Sequence, residues 1–103
     1  MLTEKQIQEF LALLLSFSLN TGASGRNLSG LFPVSVKTMA RWLAAARGEY
    51  AAPRMYHSRV APIVRTINAL NHLDKTTNAY HEIRRISSPS KRLDALKALA
   101  ASV

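Results

Sequence analysis

Lys37, Thr38 and Arg41 are the residues whose types and spacing first suggest chemistry. On a helix, residues three and four apart share a face, so all three side chains project from one side. Two cations one turn apart with a hydroxyl between them suit hydrogen bonds to phosphates and base edges, with no bond made or broken. The surrounding stretch from Asn27 to Gly48, NLSGLFPVSVKTMARWLAAARG, reads as a short helix, a tight turn and a second helix. Catalytic chemistry is not visible. The chain offers no paired carboxylates, no glycine-rich phosphate loop and no Ser–His–acid set, so an enzyme is not expected. His57, His72 and His81 lack ligand spacing and no cysteine joins them, so neither a metal nor another cofactor is expected.

The elements that position this stretch follow from local signals. Thr3-Glu4-Lys5-Gln6 has the form of a capping box and starts a helix. Ile7, Phe10, Leu11, Leu14 and Leu15 form its apolar stripe, which Leu13, Phe17 and Leu19 widen beyond one face. Such a helix is covered on two sides or meets a partner subunit. Turn-forming residues from Asn20 to Gly25 stop it, and Ser24 or Gly25 begins a short second helix with Leu28, Leu31 and Phe32 inward. Pro33 ends that helix. Ser35 caps a third helix from Val36 through Arg47, with Met39, Trp42, Leu43 and Ala46 toward the core and Lys37, Thr38, Arg41 and Ala45 away from it. Gly48 supplies the stop.

Residues 49–60 read as a loop anchored by Tyr50, Met55 and Tyr56. Pro62 fits the first turn of a fourth helix through Ile63, Ile67 and Leu70, with Arg65 and Asn68 on its other face. A fifth helix over about Asn78–Ile86 turns Tyr80, Ile83 and Ile86 inward, and Ser87-Ser88-Pro89-Ser90 leads into a sixth with Leu93, Leu96, Leu99 and Ala100 as its stripe. No internal repeat and no strand pattern is present. The expected fold is all-α: a compact bundle of five to six short helices in a single domain over 1–103. Its core covers about 3–74 and a C-terminal helical extension about 76–103.

Composition agrees with a polyanionic partner. Lys and Arg number 14 against 6 acids, a net charge of +8, and 48% of residues are hydrophobic. The excess is uneven, with five cations against three acids up to residue 52 and nine against three beyond it. Without cysteine a disulfide framework is impossible, and a cytoplasmic location is the expectation. The apolar run Phe10–Leu19 is too short to span a bilayer, and Glu4 and Glu9 before it suit no targeting peptide, so no membrane partner is expected.

The residues Phe32-Pro33-Val34-Ser35-Val36-Lys37-Thr38-Met39-Ala40-Arg41-Trp42 resemble the helix-turn-helix of lambda-repressor-like and Cro-like regulators, as found in phage and bacteria. Leu28 and Phe32 match the inner face of the family's first helix, Ser29 the small residue where the helices cross, Val34 the plug of the turn, and Met39 and Trp42 the anchors of the second helix. One position departs. Pro33 stands where the family's turn glycine does, and proline cannot take a left-handed conformation, so this turn must differ from the family's.

The resemblance implies a small transcriptional regulator binding double-stranded DNA as a dimer, with Ser35, Val36, Lys37, Ala40, Arg41 and Ala44 toward the major groove. Arg41 is then the candidate for a bidentate pair with guanine, Val36 or Ala40 for a thymine methyl, and Lys37 and Ser35 for phosphates or base edges. Arg47, Arg54 and Arg59, flanking that helix, are candidate phosphate contacts. Arg84, Arg85, Lys91 and Arg92 form a second basic cluster that fits a longer DNA footprint, an RNA or an acidic protein surface. Trp42 points inward by helical phase, which favours core packing over stacking on bases. The homodimer interface is expected on the first helix or on the Leu93-Leu96-Leu99 stripe. Two alternatives stand beside a regulator: a basic helical module docking on an acidic enzyme or polymerase surface, and a phage DNA-packaging or replication accessory factor.

Overall fold

Side chains that satisfy exposed backbone N–H groups set where most helices of this chain begin. The computed structural model describes residues 1–103 as six helices and no strand: α1 Glu4–Thr21, α2 Gly25–Leu31, α3 Val36–Ala46, α4 His57–Thr77, α5 Ala79–Arg84 and α6 Pro89–Ala101. The expected all-α fold is therefore present. At α1 the Thr3 hydroxyl accepts from the Gln6 N–H at 3.2 Å while Gln6 Oε1 accepts from the Thr3 N–H at 2.9 Å. Ser24 and Asn27 repeat the arrangement at α2, Ser35 caps α3 and Ser88 caps α6, with Pro89 in its first turn. The chain leaves α1 through Gly22 at φ 75°, a conformation that suits glycine. It passes from α4 to α5 through one left-handed residue, Asn78, at φ 55°.

Two boundaries differ from the sequence reading. The fourth helix starts at His57, so the loop expected over 49–60 ends earlier and Pro62 lies inside α4. Starting early brings Val60 onto the buried face with Ile63 and Ile67. That gain offsets the N–H that Pro62 lacks, because the carbonyl it would have met belongs to exposed Ser58 near the helix start. The fifth helix is shorter than expected and leaves Ile86 half-buried beyond its end. Within the loop only Met55 is an anchor. Tyr50 and Tyr56 are 71% and 58% exposed.

The core is organised around α1, which packs against α3, α4 and α5. Leu11, Leu14 and Phe17 are fully buried. Phe10 meets Trp42 of α3 edge-on, with ring centroids 5.3 Å apart, and Phe17 meets Tyr80 of α5 at 5.6 Å and Phe32 at 6.3 Å. Leu19, expected to widen the stripe, is 67% exposed. Residues of all six helices join one continuous buried cluster, including Leu96, which has no exposed surface.

The stripe of α6 is thereby used inside the chain, which corrects its reading as a dimer interface. Leu96 fills the core, and Leu93 lies over Gly30 of α2, where an added Cβ would approach Leu93 Cδ2 to 2.7 Å. The close approach involving α2 is thus at Gly30, and Gly25 faces Leu43 of α3. Ser29, expected as the small crossing residue, instead donates its hydroxyl to the Val34 carbonyl at 2.7 Å and ties the turn to α2.

Asn27 joins the two ends of the sequence. Buried at 3% exposure, it completes the α2 capping box and donates its amide to the Pro89 carbonyl at 3.0 Å. Replacing it leaves that carbonyl without the bond as well as removing the cap. In urea unfolding, Asn27→Ala is expected to cost about 2 kcal/mol and the exposed α1 counterpart Gln6→Ala about 0.5 kcal/mol.

Tyr80 carries a second, pH-dependent contribution. Its hydroxyl donates to Asn71 Oδ1 at 2.7 Å, and burial together with the Asp74 carboxylate pushes its ionisation well above the ordinary value of 10.0. A pKa raised by folding contributes stability that is whole below the unfolded value and falls as pH rises above it. Unfolding free energy should thus decline from about pH 10 upward, and Tyr80→Phe should flatten that decline.

Candidate nucleic-acid interface

The candidate surface is built by a helix, a four-residue turn and a second helix. After α2, Phe32 adopts extended backbone and the Val34 N–H donates to the Phe32 carbonyl at 2.7 Å, folding the chain tightly about Pro33. No residue of this turn has positive φ, so proline is accommodated without the left-handed step that a glycine would supply. Val34 is buried and plugs the turn. Ser35 then caps α3: its Oγ accepts from the Thr38 N–H at 3.1 Å and donates to Thr38 Oγ1 at 3.0 Å. Both hydroxyls, expected to be open to a ligand, are engaged in starting the helix.

Helix α3 packs on α1 and α2, with Met39, Trp42 and Leu43 buried. Trp42 is 3% exposed, and its ring is covered by Phe10 and approached by the Arg59 guanidinium at 5.9 Å. On the opposite side Lys37, Ala40 and Arg41 are exposed, and Val36 at the helix start is 42% exposed. Three alanines depart from the sequence reading. Ala44, expected toward the groove of DNA, is 6% exposed, and Ala45, expected outward, belongs to the core cluster at 9%. Ala46, expected in the core, is half-buried.

The chain beyond α3 turns back along the helix. Gly48, at φ 80°, reverses it, and the N–H groups of Gly48 and Glu49 donate back to the carbonyls of Ala45 and Ala44 at 3.0 and 2.9 Å. Tyr50, Ala51 and Pro53 consequently stand alongside the outer face of α3. With Lys37, Ala40, Arg41 and Ala44 they line an open groove of about 640 Å³. Sequence reasoning treated Tyr50 as an anchor and missed its place in this wall. The glycine stop two residues before it was the available signal.

The other candidate cations divide. Arg47 is paired with Glu49 at 3.0 Å, and this hydrogen bond holds the Glu49 carboxyl below its ordinary value. Arg54 lies away from α3, in a shallow recess with Leu2, Glu4 and Ile7 of the N-terminal segment. In the second cluster Arg84 and Arg92 converge on Gly22, while Arg85 and Lys91 are exposed. Arg92 is half-buried and donates to the Ile86 carbonyl, which makes it a clamp on the α5–α6 connection and no longer a free surface charge.

Arg47–Glu49 is the sole ion pair in the molecule, so 13 of the 14 lysines and arginines have no carboxylate partner. Between Glu9 and Glu49 the sequence contains no acid at all. Arg26, Lys37 and Arg41 of α2 and α3 thus have no carboxylate within ion-pair distance, whereas Arg47 at the end of α3 is neutralised by Glu49. No group of His, Asp or Glu is placed to hold a metal ion, and no helix is long and apolar enough to cross a membrane. No protein-family model, curated protein or solved structure matches the chain.

Trp42, as the one tryptophan, provides a direct check on the division of α3 into an inner and an outer face. Trp42→Ala is expected to destabilise the fold by about 3–5 kcal/mol in urea unfolding, as a vacated core site does. Trp42→Phe should recover most of that loss and leave binding to any ligand of the outer face unchanged. A surface stacking residue would show the reverse pattern.

Proposed function

We propose that this protein is a double-stranded DNA-binding protein of the helix-turn-helix type, a small non-catalytic transcriptional regulator that lays α3 in the major groove. The observation that carries this reading is the outer face of α3, where Lys37 and Arg41 stand exposed one turn apart in a segment free of acids. An unneutralised basic helix face, held from behind by apolar packing, is the electrostatic footprint that duplex recognition requires. Ser35, Val36, Thr38 and Ala40 flank these cations at the start of the same helix, and Arg59 of α4 adds a further unpaired cation beside the Trp42 ring.

The reading includes a homodimer acting in the cytoplasm of a bacterial or phage-infected cell. A groove between α1 and α4 supports the dimer. It is lined by Leu2, Phe10, Leu13, Val60 and Val64, and also carries Glu9 and Arg65, which have no ion partner within the chain. A twofold axis through such a groove can bring Glu9 of one copy to Arg65 of the other.

Fluorescence anisotropy with duplex DNA at graded salt tests the proposal. About six phosphate contacts give a log–log slope near −5. Lys37→Ala with Arg41→Ala should weaken binding by about 1–3 kcal/mol for each side chain removed. Absence of duplex binding at low salt would sink this reading in favour of a module for an acidic protein surface. If Arg84→Ala with Arg85→Ala abolishes binding while the α3 pair has no effect, α3 is the wrong helix.

A further inference from the structure

The groove beside α3 assigns different work to the residues of that helix. We propose that it is a seat for one sugar–phosphate strand of the duplex, with Tyr50 as a DNA-contacting residue and with Lys37 and Arg41 gripping the backbone instead of reading bases. The inference rests on the duplex-binding reading above and deepens it.

Lys37, Ala40, Arg41 and Ala44 recur at helical spacing along one side of the groove, and Tyr50 and Pro53 form the other. The two cations have no carboxylate competitor, and Ala40 between them and Ala44 one turn beyond leave a smooth floor against which a chain can lie. Tyr50 is 71% exposed although it is aromatic and belongs to a segment fixed to α3 by two backbone hydrogen bonds. An exposed ring on a fixed wall can cover a deoxyribose while its hydroxyl donates to a phosphate oxygen.

The groove is open and about 640 Å³ in volume, and its two cations line one side of it one helical turn apart. Cations confined beside such a wall meet phosphates first. Base contacts then fall to the start of α3, where exposed Val36 stands outside the groove lining.

The test compares a selected duplex with a random-sequence duplex of equal length, using the full chain. Tyr50→Ala should weaken both about fivefold to tenfold without changing the melting temperature, Tyr50→Phe should weaken them less, and Lys37→Ala or Arg41→Ala should weaken both equally. Val36→Ala should alter the preference between the two. Replacing single phosphates with uncharged methylphosphonates should reveal positions at which the Tyr50→Ala effect disappears. Unchanged affinity for Tyr50→Ala, with the cation variants still impaired, overturns the groove while leaving duplex binding intact. Loss of sequence preference in Arg41→Ala, or a Tyr50→Ala effect confined to single-stranded DNA, also overturns it. Failure of the unmodified protein to bind any duplex removes the underlying function and the groove together.

Discussion

The edge-to-face contact between Phe10 and Trp42 is the constraint on which the candidate surface depends. Helix α3 packs on α1 and α2, so its rotation about its own axis is decided by what it buries there. With Trp42 locked against Phe10 at 5.3 Å and Met39 and Leu43 buried beside it, Lys37, Ala40 and Arg41 have only the outward direction left. Phe17, two turns further along α1, holds Phe32 and Tyr80 in the same manner. One helix thus aligns the turn, α3 and α5 through aromatic contacts, which give direction as well as burial.

Signals that act over three or four residues were legible in the sequence. Thr3 with Gln6, Ser35 and Ser88 mark their helix starts because capping is a local exchange of hydrogen bonds. The apolar stripes of α1 and α3 likewise placed Phe10, Leu14, Met39 and Trp42 inside. What escaped depended on distant partners. The start of α4 was misplaced because Pro62 looks like a first-turn residue, whereas burial of Val60 outweighs one missing hydrogen bond near a solvated end. Arg92 has the same residue type as its basic neighbours, and only its partner, the Ile86 carbonyl six residues away, sets it apart.

The candidate site was legible in part for the same reason. Helical phase separates Lys37 and Arg41 from Trp42 without any knowledge of neighbours, but it treats everything on the outer side as equally open. Ala44 shows the limit of that assumption, since its burial accompanies the return of the loop after Gly48. A positive-φ glycine with no atom near its missing side chain is required for its backbone, and the direction it imposes on Tyr50 is a tertiary outcome.

The near absence of ion pairs has a consequence for the free protein. Thirteen like charges without carboxylate partners on a chain of 103 residues repel one another, so the uncomplexed fold carries an electrostatic strain that its apolar core must outweigh. A polyanion that neutralises them relieves this strain while it binds, and ligation and folding become thermodynamically linked. The same charges make the unbound molecule prone to gather small anions as counterions, which a longer polyanion must then displace. In such a molecule the solution salt acts on both affinity and conformational stability, in opposite senses.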